Sequence, residues 1–388
     1  MAFADVEIII DKNALAGTVE FAAGVTGFIG TGVSVVDGIQ IGTPAVVYSL
    51  ADAEGIGITE ADNEAAWLQL RDYFAEVASA RETYIMLVPD SMPLSDMWDY
   101  SNVNGIKKLI NYAQGRIRLA GSFFSPAQNY TPVITDGQDA DLVTAIANAQ
   151  VLATTFANDQ WPLRCVMEHL GFAGDAALVP DLRGGDANRV AVVTAGGENR
   201  CGVGLFLGRV SKIPVQRKAS RIKDGSVALA KAFVGAVAVE NMVGNELLHD
   251  KGYITLRTAV GRTGYYFSSD YTATNQQDDF NTLSRGRPMD KLQVIAYTTY
   301  FNEIDDEVIV DKDGKLAPGF ISTMEGIIET AVGQSMVGAG ELSGFTAFID
   351  PAQNVIASNK LQVVLKPVPV GYQTHIEVRQ GYDNPFQS

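Results

Sequence analysis

The sequence predicts an open α/β sheet domain and a C-terminal α+β domain ending in a β-hairpin, with an extended N-terminal arm in front of both. Three observations predict this. Between about residues 43 and 195, apolar runs of strand length alternate with stretches of helical periodicity, the order that gives a sheet covered on both faces. Beyond about residue 200, strands and helices follow one another without strict alternation, which reads as α+β. At the two ends of the chain, short period-2 segments stand without an evident partner. The expected boundaries are 1–22 for the arm, 23–200 for the α/β domain and 201–388 for the C-terminal domain.

In the arm, Val6, Ile8 and Ile10 alternate with Glu7 and Ile9 before the pattern dissolves into DKNALAG. The α/β strands are expected at AVVYSL (45–50), TYIMLVP (83–89), IRLAGSFF (117–124), PLRCVMEHL (162–170) and RVAVVTA (189–195). Thr59 and Asp62 form a capping pair before a helix whose Trp67, Leu70, Phe74 and Val77 share a face. A second stripe, Leu142, Ile146, Ala149, Ala153 and Phe156, marks a long helix within residues 139–158. In the C-terminal half we expect a helix over about 225–249, then the strands YITLRTA and TGYYFSSDY. A helix opening near Arg287-Pro288, with proline in its first turn, follows. An acidic connection, a helix from about Gly319 to Val332 and the strand FTAFID come next. In the closing hairpin, Leu361, Val363 and Leu365 on one side and Thr374, Ile376, Val378 and Arg379 on the other carry the alternation.

Composition narrows the chemistry. The chain has 388 residues, 47% of them hydrophobic and 19% charged, the balance of a globular protein. No window approaches a membrane span, and no basic stretch precedes the short apolar run at the N-terminus. Twenty-nine Lys+Arg against 45 Asp+Glu leave a formal net charge of −16, which repels nucleic-acid phosphates. The basic stretch from Gly208 to Lys223 runs against that average, as a solvated loop or as a positive patch that meets an acidic neighbour. Cys165, Cys201 and three histidines give no zinc spacing.

Four stretches invite a catalytic or binding reading. AGVTGFIG places Gly24, Gly27 and Gly30 at the spacing of a dinucleotide loop, but no helical periodicity follows it and no tyrosine has a lysine four residues on. Asp311 and Asp313 begin a calcium-loop pattern that Lys315 and Ser322 break. Glu168 and His169 are adjacent in a strand and point to opposite faces. AGGENRCGVG lacks the G-K-[ST] ending of a phosphate loop. We therefore expect no enzyme, cofactor or metal, and keep a cytoplasmic α/β enzyme binding a dinucleotide at Gly24–Gly30, or a non-contractile structural tail protein, as alternatives.

Two segments resemble the contractile tail sheath proteins of myophages and contractile injection systems. GVTGFIGTG with GTPAVVYSLADAEGIG is similar to that family's opening. GYITLRTAVGRTGYYFSSDY through SRGRPMDK to the closing hairpin is similar to its assembly domain. The helix start lacks the doubled arginine of many relatives. The resemblance implies a structural subunit that polymerises as stacked, hexameric rings around an inner tail tube and contracts to drive the tube through a target envelope. It implies that neighbours are joined by β-strand addition, with Val6, Glu7, Ile8, Ile9 and Ile10 as one exchanged strand and the closing segment as another. The helix with Met324, Glu325, Ile328 and Glu329 would face the tube. The implied partners are further copies of the chain, the tube protein, and baseplate and tail terminator proteins. The implied location is a virion tail or injection-system particle assembled in the bacterial cytoplasm.

Overall fold

A computed structural model describes residues 21–382, so the expected exchanged strand Val6–Ile10 lies outside the described residues. Six strands build the main sheet: β1 (Thr26–Thr31), β2 (Ala45–Val47), β3 (Thr83–Val88), β4 (Leu119–Phe123), β5 (Arg164–Glu168) and β6 (Val190–Val193). Their spatial order is β2-β3-β1-β4-β5-β6, parallel except for β2 at one edge. Every residue of β1, β3 and β4 is buried. This explains why these segments read as continuous apolar runs, since parallel strands are covered on both faces.

Adjacent residues of β4 show the two layers. Gly121 faces the helix α4 (Val203–Lys212), where an added Cβ would lie 2.3 Å from Leu207, while Ser122 accepts a 3.0 Å hydrogen bond from buried Trp98 on the other face. α4 crosses α1 (Glu64–Val77) at very short range. A Cβ on Gly204 would sit 2.0 Å from the Gln69 carbonyl oxygen, and one on Gly208 2.8 Å from that of Tyr73. Two further helices, α2 (Ile106–Tyr112) and α3 (Ala140–Asn158), complete the wrapping. Leu142, Ala149, Ala153 and Phe156 of the expected stripe are buried along α3.

The first core runs from Val25 to Leu283, so residues 201–283, expected in the second domain, pack with the first. The helix expected over 225–249 does not form. Gly225, Gly235 and Gly244 adopt φ of 83°, 60° and 84°, left-handed positions that interrupt a helix, and the segment holds only a 3-10 turn at Val239–Asn241 and the short helix α5 (Asn245–Asp250). The expected strand pair is present as β7 (Leu256–Arg257) and β8 (Tyr266–Phe267), antiparallel.

The second unit consists of α6 (Leu283–Phe301), α7 (Pro318–Val332) and the antiparallel pair β9 (Gly344–Phe348) and β10 (Val364–Val368). Leu292, Ile295, Ile328, Val332, Met336 and Leu342 form one small core, and Leu316, Met324 and Ile349 another. α6 starts five residues before Pro288 rather than at it. Proline inside a helix leaves the carbonyl four residues back without its N–H partner. That carbonyl belongs to Ser284, and the Tyr372 hydroxyl lies 3.3 Å from it and 2.5 Å from the Gln216 carbonyl.

The closing hairpin is corrected. Leu361, Val363 and Leu365 do alternate as half-buried residues with exposed neighbours, but β10 pairs backwards with β9. Thr374, Ile376, Val378 and Arg379 lie in no strand and are exposed. Pro367 and Pro369 stiffen the exit from β10, and Tyr372 then fastens the chain to the first domain, which leads the tail away from the turn a local hairpin would need.

Candidate assembly surfaces

The registers of β9 and β10 fix what each edge of their ribbon offers. Phe345 stands opposite Pro367 and Ala347 opposite Leu365. Proline has no N–H to give, so these are the non-bonded pairs, and the bonded pairs are Thr346 with Lys366 and Phe348 with Val364. The N–H groups of Ala347 and Ile349 therefore point out of the ribbon on the β9 side, toward α7. There the Glu329 carboxylate accepts from Ala347 at 2.8 Å and the Glu325 carboxylate from Ile349 at 2.8 Å. This edge is closed by side chains. On the β10 side the outward groups are the N–H and C=O of Val363 and Leu365 and the carbonyl of Pro367, and no described strand pairs with them.

A groove of about 1180 Å³ runs beneath the open edge. Tyr297, Tyr300 and Phe301 of α6, Phe320 of α7 and the edge residues Val363 and Leu365 line it. Tyr297 and Phe301 are exposed, at 46% and 57%. An open backbone edge over an apolar aromatic floor has the chemistry to accept an extended segment with alternating apolar side chains.

The four residues expected on a tube-facing surface do not share one. Met324 and Ile328 are buried in the two small cores, at 6% and 0% exposure, because α7 presents its apolar face to α6 and the hairpin. Glu325 and Glu329 are occupied with β9.

The cations of the basic stretch are partly engaged within the chain, two on Glu76 and two on Asp224. Arg209 bonds Glu76 at 2.5 Å and Lys212 the same carboxylate at 2.7 Å. Arg217 and Arg221 both engage Asp224, and Lys218 lies 5.0 Å over the Tyr372 ring. The stretch holds α4 to α1 and the tail to the body, and it retains more cations than carboxylates.

A buried charged cluster joins the two domains. Arg164 of β5 donates to Asp290 of α6 from Nε at 2.6 Å and Nη2 at 2.9 Å, and Arg189 donates to the same carboxylate at 3.0 Å. A Cβ on Gly286 would lie 2.4 Å from the Arg164 guanidinium carbon, so glycine lets α6 approach that closely. No sequence signal marked these residues, which are 126 and 101 positions apart from Asp290.

The stretches weighed for chemistry have structural roles. Gly27 and Gly30 lie within β1, and a Cβ on either would lie 2.7 Å from Ile117 or 2.2 Å from the Phe123 ring. The space is filled by neighbouring side chains, so this segment is no phosphate loop. The Asp311 carboxylate caps its own turn, accepting from Asp313 and Lys315 N–H groups. His169 is held between Thr194 and Gln138, both at 3.0 Å, and burial pushes its pKa down to about 3. Burial pushes the Glu168 carboxyl up to about 8, against the pull of the Phe124 N–H. Among the described residues no group of His, Cys, Asp and Glu could hold a metal ion, and no helix is long and apolar enough to cross a membrane.

A six-stranded α/β domain fastened by buried charges to a small α+β domain gives this chain a fold similar to that of chains from contractile injection-system sheaths. One similar solved chain is from the helical sheath of the anti-feeding prophage in its contracted state, at 14% identity and a TM-score of 0.64 over 99% of this chain and 100% of that one. A chain of the six-fold symmetrised anti-feeding prophage baseplate is similar at 15% identity and a TM-score of 0.60, over 99% and 100%. A third, from the contracted sheath complex of the extracellular contractile injection system PVC, has 12% identity and a TM-score of 0.62, over 100% and 99%. No curated protein sequence matches. The chain belongs to the DUF2586 family, matching its N-terminal domain over residues 3–270 and its C-terminal domain over residues 279–387.

Proposed function

We propose that this chain is the structural subunit of a contractile sheath, polymerising as stacked rings around an inner tube and driving that tube by contraction. The carrying observation is the one-sided ribbon: β9 closed by Glu325 and Glu329, β10 open above an aromatic groove. In our reading the arm, residues 1–22, and the exposed tail around Thr374–Arg379 are donated to other copies. Both donated strands add on the β10 side, giving the order β9, β10, donor, donor. Backbone hydrogen bonds supply the affinity and alternating side chains the register. Such head-to-tail contacts propagate as an open helical array. The stroke comes from surface buried as subunits compact. Baseplate and terminator proteins would meet the two ends of the stack.

Deleting residues 1–20, or ending the chain after Pro369, should leave folded protein that forms no tubes in negative-stain electron microscopy. Cylinders formed by either truncated chain would refute strand donation by the deleted segment.

A further inference from the structure

A second recess, of about 460 Å³, opens between α3, the β6 edge and α6. Gln293 and Leu365 line both it and the aromatic groove, so the two are continuous along the open edge of β10. Its chemistry is different. Arg164, Arg189, Asn188 and Gln150 line it, with Asp290 as its one carboxylate.

The local charge does not balance. Each nitrogen of the Arg164 guanidinium is engaged, Nε and Nη2 by Asp290 and Nη1 by the Asn188 carbonyl at 2.9 Å. Arg189 shares Asp290 and reaches the Leu163 carbonyl at 3.4 Å through the same Nη1. Its Nε and Nη2 have no acceptor among the described residues, although its side chain is only 17% exposed. Two guanidinium groups thus face one carboxylate in a half-closed recess, at the end of an edge that awaits a strand. The free nitrogens of Arg189 are open to the recess, and a carboxylate placed there would accept from them in a charge-assisted pair.

We propose that this recess receives a carboxylate side chain from the N-terminal arm of a second copy of the chain, fixing the register of the donated strand. The inference rests on the strand-donation reading above and adds its end point. The arm has the required chemistry, because Asp5 and Asp11 flank the segment from Val6 to Ile10 and Glu7 lies within it. The tail is the poorer donor, since Glu377 is the one carboxylate in its alternating stretch from Thr374 to Arg379.

Disulfide trapping in the full-length protein tests it. Arg189→Cys is combined in turn with Asp5→Cys, Glu7→Cys, Asp11→Cys or Glu377→Cys, and a separate pair, Leu365→Cys with Ile8→Cys, reports strand donation at the open edge. The natural Cys165 is buried, and each single variant controls for Cys201. We expect an oxidised inter-subunit ladder from one arm pair and none from the Glu377 pair. A ladder from Leu365 with Ile8 but from no arm pair with Arg189 overturns this inference and leaves strand donation standing, whereas loss of both overturns the two together. As a second readout, Arg189→Gln should lower the yield of assembled protein at least tenfold, and unchanged yield in a folded variant overturns the proposal.

Discussion

Replacing Asp290 by alanine removes the carboxylate that holds α6 against the main sheet. Three charged hydrogen bonds, of 2.6, 2.9 and 3.0 Å, end on it, and the side chains of Arg164 and Asp290 are 2% and 5% exposed. The loss exceeds that of the bonds alone, because two guanidinium groups are left facing each other without their counter-ion. Breaking a buried pair by deleting one partner costs about 3–5 kcal/mol, a large share of the roughly 5–15 kcal/mol by which folded domains are stable. Urea unfolding of unassembled protein, followed by circular dichroism, measures it. The control replaces Arg164 and Arg189 by methionine and Asp290 by leucine together, since an apolar substitute for a buried ion cluster is often neutral or stabilising. A loss below about 1 kcal/mol for Asp290→Ala, where exposed pairs fall, would refute the view that this cluster is a buried joint.

Other outcomes follow from the same geometry. The folded Glu168 carboxyl, raised to about 8, keeps a proton that the unfolded chain loses near pH 4.3. Stability therefore falls as pH rises between those values, and Glu168→Gln should gain in melting temperature over the parent at pH 8.5 relative to pH 5. His169 acts on the acid side: lowered to about 3, it stays neutral while the unfolded chain takes up protons below about pH 6.5. His169→Asn should flatten the acid limb of the melting profile. Gly204→Ala forces α1 and α4 apart and should cost about 1–3 kcal/mol or more by overpacking, read from urea midpoints. Tyr372→Phe removes the hydroxyl shared by Gln216 and Ser284 and should cost about 1 kcal/mol, with faster proteolysis of the tail and an unchanged core melting transition.

The sheet was legible in the sequence because buried parallel strands are written as uninterrupted apolar runs. TYIMLV became a fully buried β3, and the Leu142-to-Phe156 stripe became α3. Around residues 225–249, Ala- and Val-rich composition imitates a helix, while the glycines at 225, 235 and 244 govern the backbone. Pro288 marked α6 but not its start, because the helix tolerates the missing bond through Tyr372, 84 residues away in sequence. Alternation correctly indicated that Leu361, Val363 and Leu365 face inward, yet period 2 does not name a partner, and β9 was the one chosen. Glu325 and Glu329 are expected, by resemblance, on a tube-facing helix, and no sequence pattern ties them to a strand. Only the fold brings them to a strand edge.

Those two glutamates set the valence of the ribbon. A hairpin with two free edges can pair with its own kind indefinitely, which is how a folded protein becomes a seed for fibres. Here α7 occupies one edge, so in the proposed assembly a hairpin is extended only outward from β10, by segments tethered to separate rigid bodies. Spacing between bodies is then set by tether length rather than by the 4.7–4.9 Å repeat of stacked strands. Under the proposed strand donation, the same carboxylates that shut an edge favour a lattice of whole domains over a fibre of strands.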